Sequence, residues 1–293
     1  MKKVAIVGAG ISGLYLANEL NKNTEIDYKI FEKKDYLNLN EGYGIQLSVN
    51  SINLLNKIGF KNISASDVYY PTKVNFFQAK NIKKICEIDL KQFNNVNDRY
   101  TTLKRSTLIK FLIGNLPEEK IQFKANIQNI EYNEKIKISW NNKNESFDYI
   151  VIADGVFSKL KSQISNNHLN PIFNGNIALR ANLKQHEKDN ISVYMGSNFH
   201  YVTYPVNQKL EYNFVAIIKK KLTTKEIEDK NVLNSETFIK SLKDFISQNS
   251  IINLESLANI KCFPVFVSTE LPTLKYQNTY LSLSLIHISE PTR

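Results

Sequence analysis

Six residues near the N-terminus, Gly8-Ala9-Gly10-Ile11-Ser12-Gly13, have the types and spacing of a phosphate cradle. They follow a short apolar run, Val4 to Val7, and open a helical pattern from about Ile11 to Asn21. At such a strand-to-helix junction the first glycine permits a tight turn, and the second lets the backbone approach a pyrophosphate. The third lets helix and strand pack closely, while the helix N-terminus faces the phosphate charge. Glu32 ends the next strand, 19 residues after Gly13, where a carboxylate can accept from a ribose 2′-OH. Gly8, Gly10, Gly13 and Glu32 are therefore candidate dinucleotide-binding residues. The motif alone does not separate FAD from NAD, whereas an acidic residue at position 32 argues against a 2′-phosphate there.

Three further segments narrow the choice. They are Gly42-Tyr43-Gly44-Ile45-Gln46-Leu47, Arg105-Ser106-Thr107-Leu108, and Asp148-Tyr149-Ile150-Val151-Ile152-Ala153-Asp154-Gly155 with Ser158 after it. Together with the N-terminal loop, in this order, they resemble the flavoprotein aromatic hydroxylases, the family of p-hydroxybenzoate and salicylate hydroxylases. The resemblance runs from residue 1 to about residue 282. It implies FAD as cofactor, NAD(P)H and O₂ as co-substrates, and hydroxylation of a small aromatic ring through a flavin hydroperoxide, with no metal. It also implies that Arg105 contacts the FAD, that Asp154 and Gly155 serve both flavin and nicotinamide, and that Gly42 and Gly44 admit the cofactor near its ribityl chain. On its own chemistry Arg105 suits a phosphate, because its planar fork matches two oxygens at once. Two alternatives stand beside this reading: a reductase or halogenase of the same fold, and a truncated piece without activity.

His200, Val202 and Tyr204 share one face of a strand by the period of two. A histidine there can take the proton of a phenol and enrich its ring, so His200 and Tyr204 are the catalytic and substrate candidates. Arg180 is a substrate candidate for a carboxylate, or for the flavin edge. His168 and His186 stand in polar stretches and read as solvated.

The elements that must carry these residues alternate in kind. Val4–Val7, the helix after it (Leu14, Leu16, Ala17 and Leu20 inward) and Tyr28–Phe31 make a βαβ beginning. Val68 to Leu90 and 170 to 220 alternate as antiparallel strands do, and Tyr149 to Ala153 is again a buried strand. Ser235 reads as an N-cap before the apolar face Phe238, Ile239, Leu242, Phe245 and Ile246. The fold expected is a mixed α/β one, a Rossmann-like FAD-binding domain with an interleaved antiparallel-sheet substrate domain. Residues 1–68, 102–168 and 268–282 form the first domain, and 69–101 and 169–267 the second.

The net charge of +10 is spread along the chain, and only four of 38 basic residues are arginine. Without a basic block interleaved with aromatics, this reads as a solvated surface and not a nucleic-acid face. No apolar run is long enough to span a bilayer and no signal peptide is recognisable, which places the protein in the cytoplasm. Cys86 and Cys262 fit no metal or redox spacing and read as buried thiols. Residues 283–293, Leu-Ser-Leu-Ile-His-Ile-Ser-Glu-Pro-Thr-Arg, resemble the translation of a transposon-end adapter used in sequencing libraries. They are expected to be non-native, with the true frame running from about Leu281 into a Gly-Asp pair.

Overall fold

The computed structural model describes residues 1–39, 42–164, 171–183, 189–209, 211–267 and 274–282; His168, His186 and the tail 283–293 lie outside these. The chain divides into two units. The first comprises Met1–Leu39, Leu108–Ile172 and Ser268–Arg293. Among its described residues, six strands form one sheet in the order Lys275–Tyr276, Thr279–Leu281, Tyr149–Ile152, Lys2–Val7, Ile26–Phe31, Ile121–Gln122. Lys2–Val7 pairs in parallel with both Tyr149–Ile152 and Ile26–Phe31, and Thr279–Leu281 adds in parallel to Tyr149–Ile152. Parallel strands covered on both faces read as unbroken apolar runs, and Ala5, Ile6, Ile30 and Ile150 are wholly buried here. A separate antiparallel sheet, Asn129–Tyr132, Ile136–Trp140 and Lys143–Phe147, shares a core with Ala5, Val7, Phe31 and Ile152. Phe31 meets Trp140 and Phe147 edge-on, with centroids 4.8 and 5.8 Å away, as ring quadrupoles favour.

The helix Ile11–Leu20 buries Gly13, Leu14, Ala17 and Asn18. Leu16 and Leu20, expected inward, are only half-buried, and Asn18 lies deep instead. Its Nδ2 donates to the carbonyls of Leu14 and Leu112, each at 2.8 Å. With both N–H groups satisfied, the amide can be buried at little cost.

The second unit comprises Asn40–Thr107 and Phe173–Val267. Its main sheet runs Leu257–Val267, Ile172–Leu183, Tyr212–Lys219, Phe199–Pro205, Ile191–Met195, Lys73–Gln78, Lys84–Asp89 among the described residues. Pairing is antiparallel from Ile172–Leu183 to Ile191–Met195, after which Ile191–Met195 and Lys73–Gln78 run parallel. Alternation gives this sheet two faces. One carries Leu179, Ala181, Tyr201 and Phe214 and is closed by the helix Glu236–Asn249 through Phe238, Leu242 and Ile246. Ser235 Oγ caps that helix by accepting from the N–H of Phe238 at 3.3 Å. On the same face Phe77, Tyr194, Tyr201 and Phe214 stack in succession at 5.2, 4.5 and 5.5 Å. A small antiparallel sheet of Gly44–Leu47, Thr101–Lys104 and Val68–Tyr69 completes the unit.

Cys262 is buried, and burial pushes its thiol up to about 12. Cys86 corrects the expectation of two buried thiols. It lies on the edge strand Lys84–Asp89, where every residue is exposed because the strand has one neighbour and no layer over it. No helix among the described residues is long and apolar enough to cross a membrane.

Replacing Leu242 by Ala leaves a cavity under the sheet and should lower unfolding stability by about 2–5 kcal/mol. Lys240→Ala, on the exposed side of the same helix, should change it by no more than about 0.5 kcal/mol. Urea titrations followed by far-UV circular dichroism measure both. Equal small effects at the two positions would contradict this packing.

Candidate functional site

In the first unit the strand Lys2–Val7 ends at Gly8, whose φ of +106° is one that side chains disfavour. A Cβ on Gly8 would also stand 2.6 Å from the carbonyl oxygen of Ala153. One on Gly13 would stand 2.0 Å from the carbonyl oxygen of Gly8 and 3.3 Å from Ile6 Cγ2, so the helix lies directly on the strand end. Gly10 differs: a Cβ there would meet only the Ala153 oxygen, at 3.9 Å. The loop is therefore tight where it touches protein and open at its middle glycine.

Glu32 is buried, and its two oxygens accept from the N–H of Ala9 at 2.9 Å and of Lys34 at 3.0 Å. Glu32 thus has a task that its spacing from Gly13 does not announce, which is to hold the glycine loop. A carboxylate has about four acceptor positions, so two remain. Across the sheet, the N–H of Ala153 bonds the carbonyl of Val7 at 2.7 Å, which brings Asp154 to the same strand ends. Burial raises the pKa of Asp154, while Ser158, Lys161 and Lys33 nearby temper the rise. Its Oδ1 is out of reach of solvent and has no hydrogen-bond partner; the Ser158 hydroxyl lies close but outside bonding geometry. Gly155 has a φ of +92°, with open space where a Cβ would be.

Lys161 was not singled out by any motif. Its Nζ donates to the carbonyl of Val156 at 2.6 Å, and burial lowers its pKa against the pull of Asp154. An open backbone at Gly10 and an orphaned carboxyl oxygen at the neighbouring strand end fit the pyrophosphate and hydroxyl groups of a dinucleotide.

In the second unit, the sheet face turned away from the helix Glu236–Asn249 holds the other candidates. Cross-strand register sets them in rows: Asn182, Asn213 and Tyr204; then Arg180, Val215, Val202 and Val193; then Ala178, Ile217, His200 and Met195. His200 and Tyr204 share this face as expected, but four residues of strand separate their backbones by about 13 Å. They cannot both touch one atom of a small ring. Tyr204 is buried, in an apolar cluster with Leu90, Ile191 and Val206, and burial drives its pKa far above the ordinary phenol range, against the pull of Arg180. It is a hydrogen-bond donor there, not a base. Arg180 is half-buried, and no ion pair among the described residues involves an arginine.

Gly44 packs against this face. A Cβ on it would fall within 2.8 Å of Asn213, Val206 and Tyr204 side-chain atoms, and its N–H donates to Asn213 Oδ1 at 2.6 Å. The space beside Gly42 is taken by the Asn182 amide. Both glycines therefore meet the protein's own sheet. Arg105 follows directly: its N–H bonds the carbonyl of Tyr43 at 2.9 Å, and its half-buried side chain also has no carboxylate partner among the described residues. No group of three metal-binding side chains occurs among the described residues.

A family model described as an NAD(P)-binding Rossmann-like domain matches residues 6–40. The chain is 24% identical over 237 residues to the salicylate hydroxylase of Pseudomonas putida, a match covering 73% of this chain and 54% of that one. It is 28% identical over 177 residues to FAD-dependent monooxygenase subE of Metarhizium robertsii, covering 55% of this chain and 52% of that one. The chain thus spans about half the length of these curated relatives. Among solved structures, Klebsiella pneumoniae HpxO complexed with FAD and uric acid superposes with a TM-score of 0.78 over 96% of this chain and 72% of that one. At 14% identity that likeness speaks for the fold, a mixed α/β one with a Rossmann-like domain and further sheets. In sequence relatives and in fold alike, the chain is similar to the FAD-dependent monooxygenases, aromatic hydroxylases among them.

Proposed function

We propose that this chain carries the cofactor- and substrate-binding machinery of an FAD-dependent monooxygenase that hydroxylates an aromatic ring, consuming NAD(P)H and O₂. The observation that carries the reading is the cradle at the ends of Lys2–Val7 and Tyr149–Ile152, closed by Gly8 and Gly13, open at Gly10 and fastened by Glu32. Gly8, Gly10 and Gly13 would admit the pyrophosphate, Glu32 would accept from the ribose, and Asp154 with Gly155 would take a hydroxyl of the ribityl chain. Arg105 would offer a planar fork suited to a phosphate, whereas Gly42 and Gly44 pack against the protein's own sheet. When bound, the flavin supplies the route for electrons from NAD(P)H to O₂. On the substrate sheet, Arg180 would attract an anionic oxygen, Tyr204 would donate to it, and His200 would take the proton of a ring hydroxyl.

Three outcomes test this. Gly10→Val should abolish FAD binding, because the side chain would fill the one open position of the loop; a purified variant with normal flavin occupancy would place the cofactor elsewhere.

Asp154 gives a pH-dependent test. Its raised pKa means that its contribution to stability is fully present below the unfolded carboxyl's value of about 3.9 and lost as pH rises through the folded value. Asp154→Asn removes that loss, so the ligand-free variant should melt no lower than wild type at pH 7 while binding FAD about tenfold more weakly. A lower melting temperature with unchanged FAD affinity would show a structural aspartate.

His200→Ala should slow hydroxylation by about 10²-fold or more and leave flavin reduction by NAD(P)H near the wild-type rate. Stopped-flow absorbance separates the two steps, and unchanged hydroxylation would remove His200 from the chemistry.

A further inference from the structure

Register carries the middle row of the substrate face past Val193. After Arg180, Val215, Val202 and Val193, the parallel pairing adds Phe76, and the last strand adds Cys86 at the sheet edge. The row beside it runs from His200 through Met195 to Gln78. Between Arg180 and Cys86 the middle row is therefore apolar throughout and holds no charge. Strands lie about 4.8 Å apart, so the stretch from Val215 to Phe76 covers about 14 Å, whereas one aromatic ring covers little more than one spacing.

The two faces of the sheet differ in cover. Leu179, Ala216, Tyr201 and Tyr194 are buried in the core that the helix Glu236–Asn249 closes. On the substrate face Val215, Val202, Val193 and Phe76 are all half-buried, and Met195 is 43% exposed. Along one margin Leu90 and Tyr100 join Val193 and Val202 in a single apolar cluster, which walls the strip on that side. A long apolar strip, partly open and starting at a cation, suits a ligand that is anionic at one end and apolar over the rest.

We propose that the substrate is an aromatic acid with a hydrocarbon extension. Its carboxylate meets Arg180, its ring lies over Val215 and Val202 beside His200, and its extension runs over Val193 and Phe76 past Met195. The inference rests on the reading that this sheet face binds substrate, and it adds that the face is too long for a single ring.

The test uses the FAD-loaded protein and two probes whose tail stands opposite the carboxylate, 4-methylbenzoate and 4-hexylbenzoate. Both are titrated by calorimetry into wild type, Phe76→Ser and Val193→Thr. A fully buried methylene is worth about fourfold in affinity, and a tail resting on protein along one side should keep about twofold. The hexyl probe should thus bind wild type about thirtyfold more tightly than the methyl one, and each variant should cut that ratio about threefold or more. Each variant is compared with itself on two probes, so a general loss of fold would lower both affinities and leave the ratio in place. If the two probes bind wild type alike, the extension is overturned while the substrate face stands. A large ratio unaltered in both variants would place the tail elsewhere and overturn the proposal. If neither probe binds, the face and the extension fall together. Sedimentation velocity covers the remaining occupant: a wild-type dimer that Phe76→Ser splits, with a ratio near one, would make the strip a contact between two copies and overturn the proposal.

Discussion

A β-carbon on Gly13 would stand 2.0 Å from the carbonyl oxygen of Gly8, and one on Gly8 would stand 2.6 Å from that of Ala153. This absence of clearance fixes the rest of the first unit. It seats the helix Ile11–Leu20 on the strand end and draws the Ala153-Asp154 corner against the glycine loop. Within the glycine loop it leaves Gly10 as the position where a ligand can approach the backbone. Glu32 keeps the arrangement from relaxing, because its carboxylate holds the Ala9 N–H from the neighbouring strand. A loop built this way needs little reorganisation to receive phosphate, and binding energy is then not consumed in ordering it.

The second unit solves a different problem with one sheet. One face is filled and stacked with aromatic rings under a helix, while the other presents half-buried valines around an arginine, a histidine and a buried tyrosine. In a chain that uses lysine for almost every positive charge, Arg180 and Arg105 are two of only four arginines, and both are half-buried. Asn182 Oδ1 and Asn213 Nδ2, cross-strand neighbours beside Gly42 and Gly44, are buried without partners. The edge of that face is therefore polar but uncharged.

How much of this was legible in the sequence follows from the range of each signal. The glycine loop, Glu32, the helix with its Ser235 cap and the alternation of 191–195, 200–206 and 212–218 are local patterns, and each stands in the structure where the pattern put it. Long-range pairings leave no such trace. Nothing near Ile191 announces a parallel neighbour at Val74, and nothing near Gly44 announces Asn213, which lies 169 residues on. Asn18 was overlooked because a polar residue within an apolar period reads as outward until its two carbonyl partners are known. Cys86 was misplaced because cysteine's tendency to be buried says nothing about whether its strand lies at an edge. Tyr204 was found by periodicity, but its depth, which decides whether it can be a base, came only with the packing.

The aromatic residues described above are also unevenly shared between the units. The single tryptophan, Trp140, is buried in the first unit against Phe31, whereas the stacked Tyr194 and Tyr201 lie in the second. Each unit thus carries its own optical label: indole fluorescence for one, and near-ultraviolet dichroism of coupled phenol rings for the other. Whether the two halves of this molecule melt as one cooperative body or in succession is therefore written in two separable wavelengths, with no probe to attach.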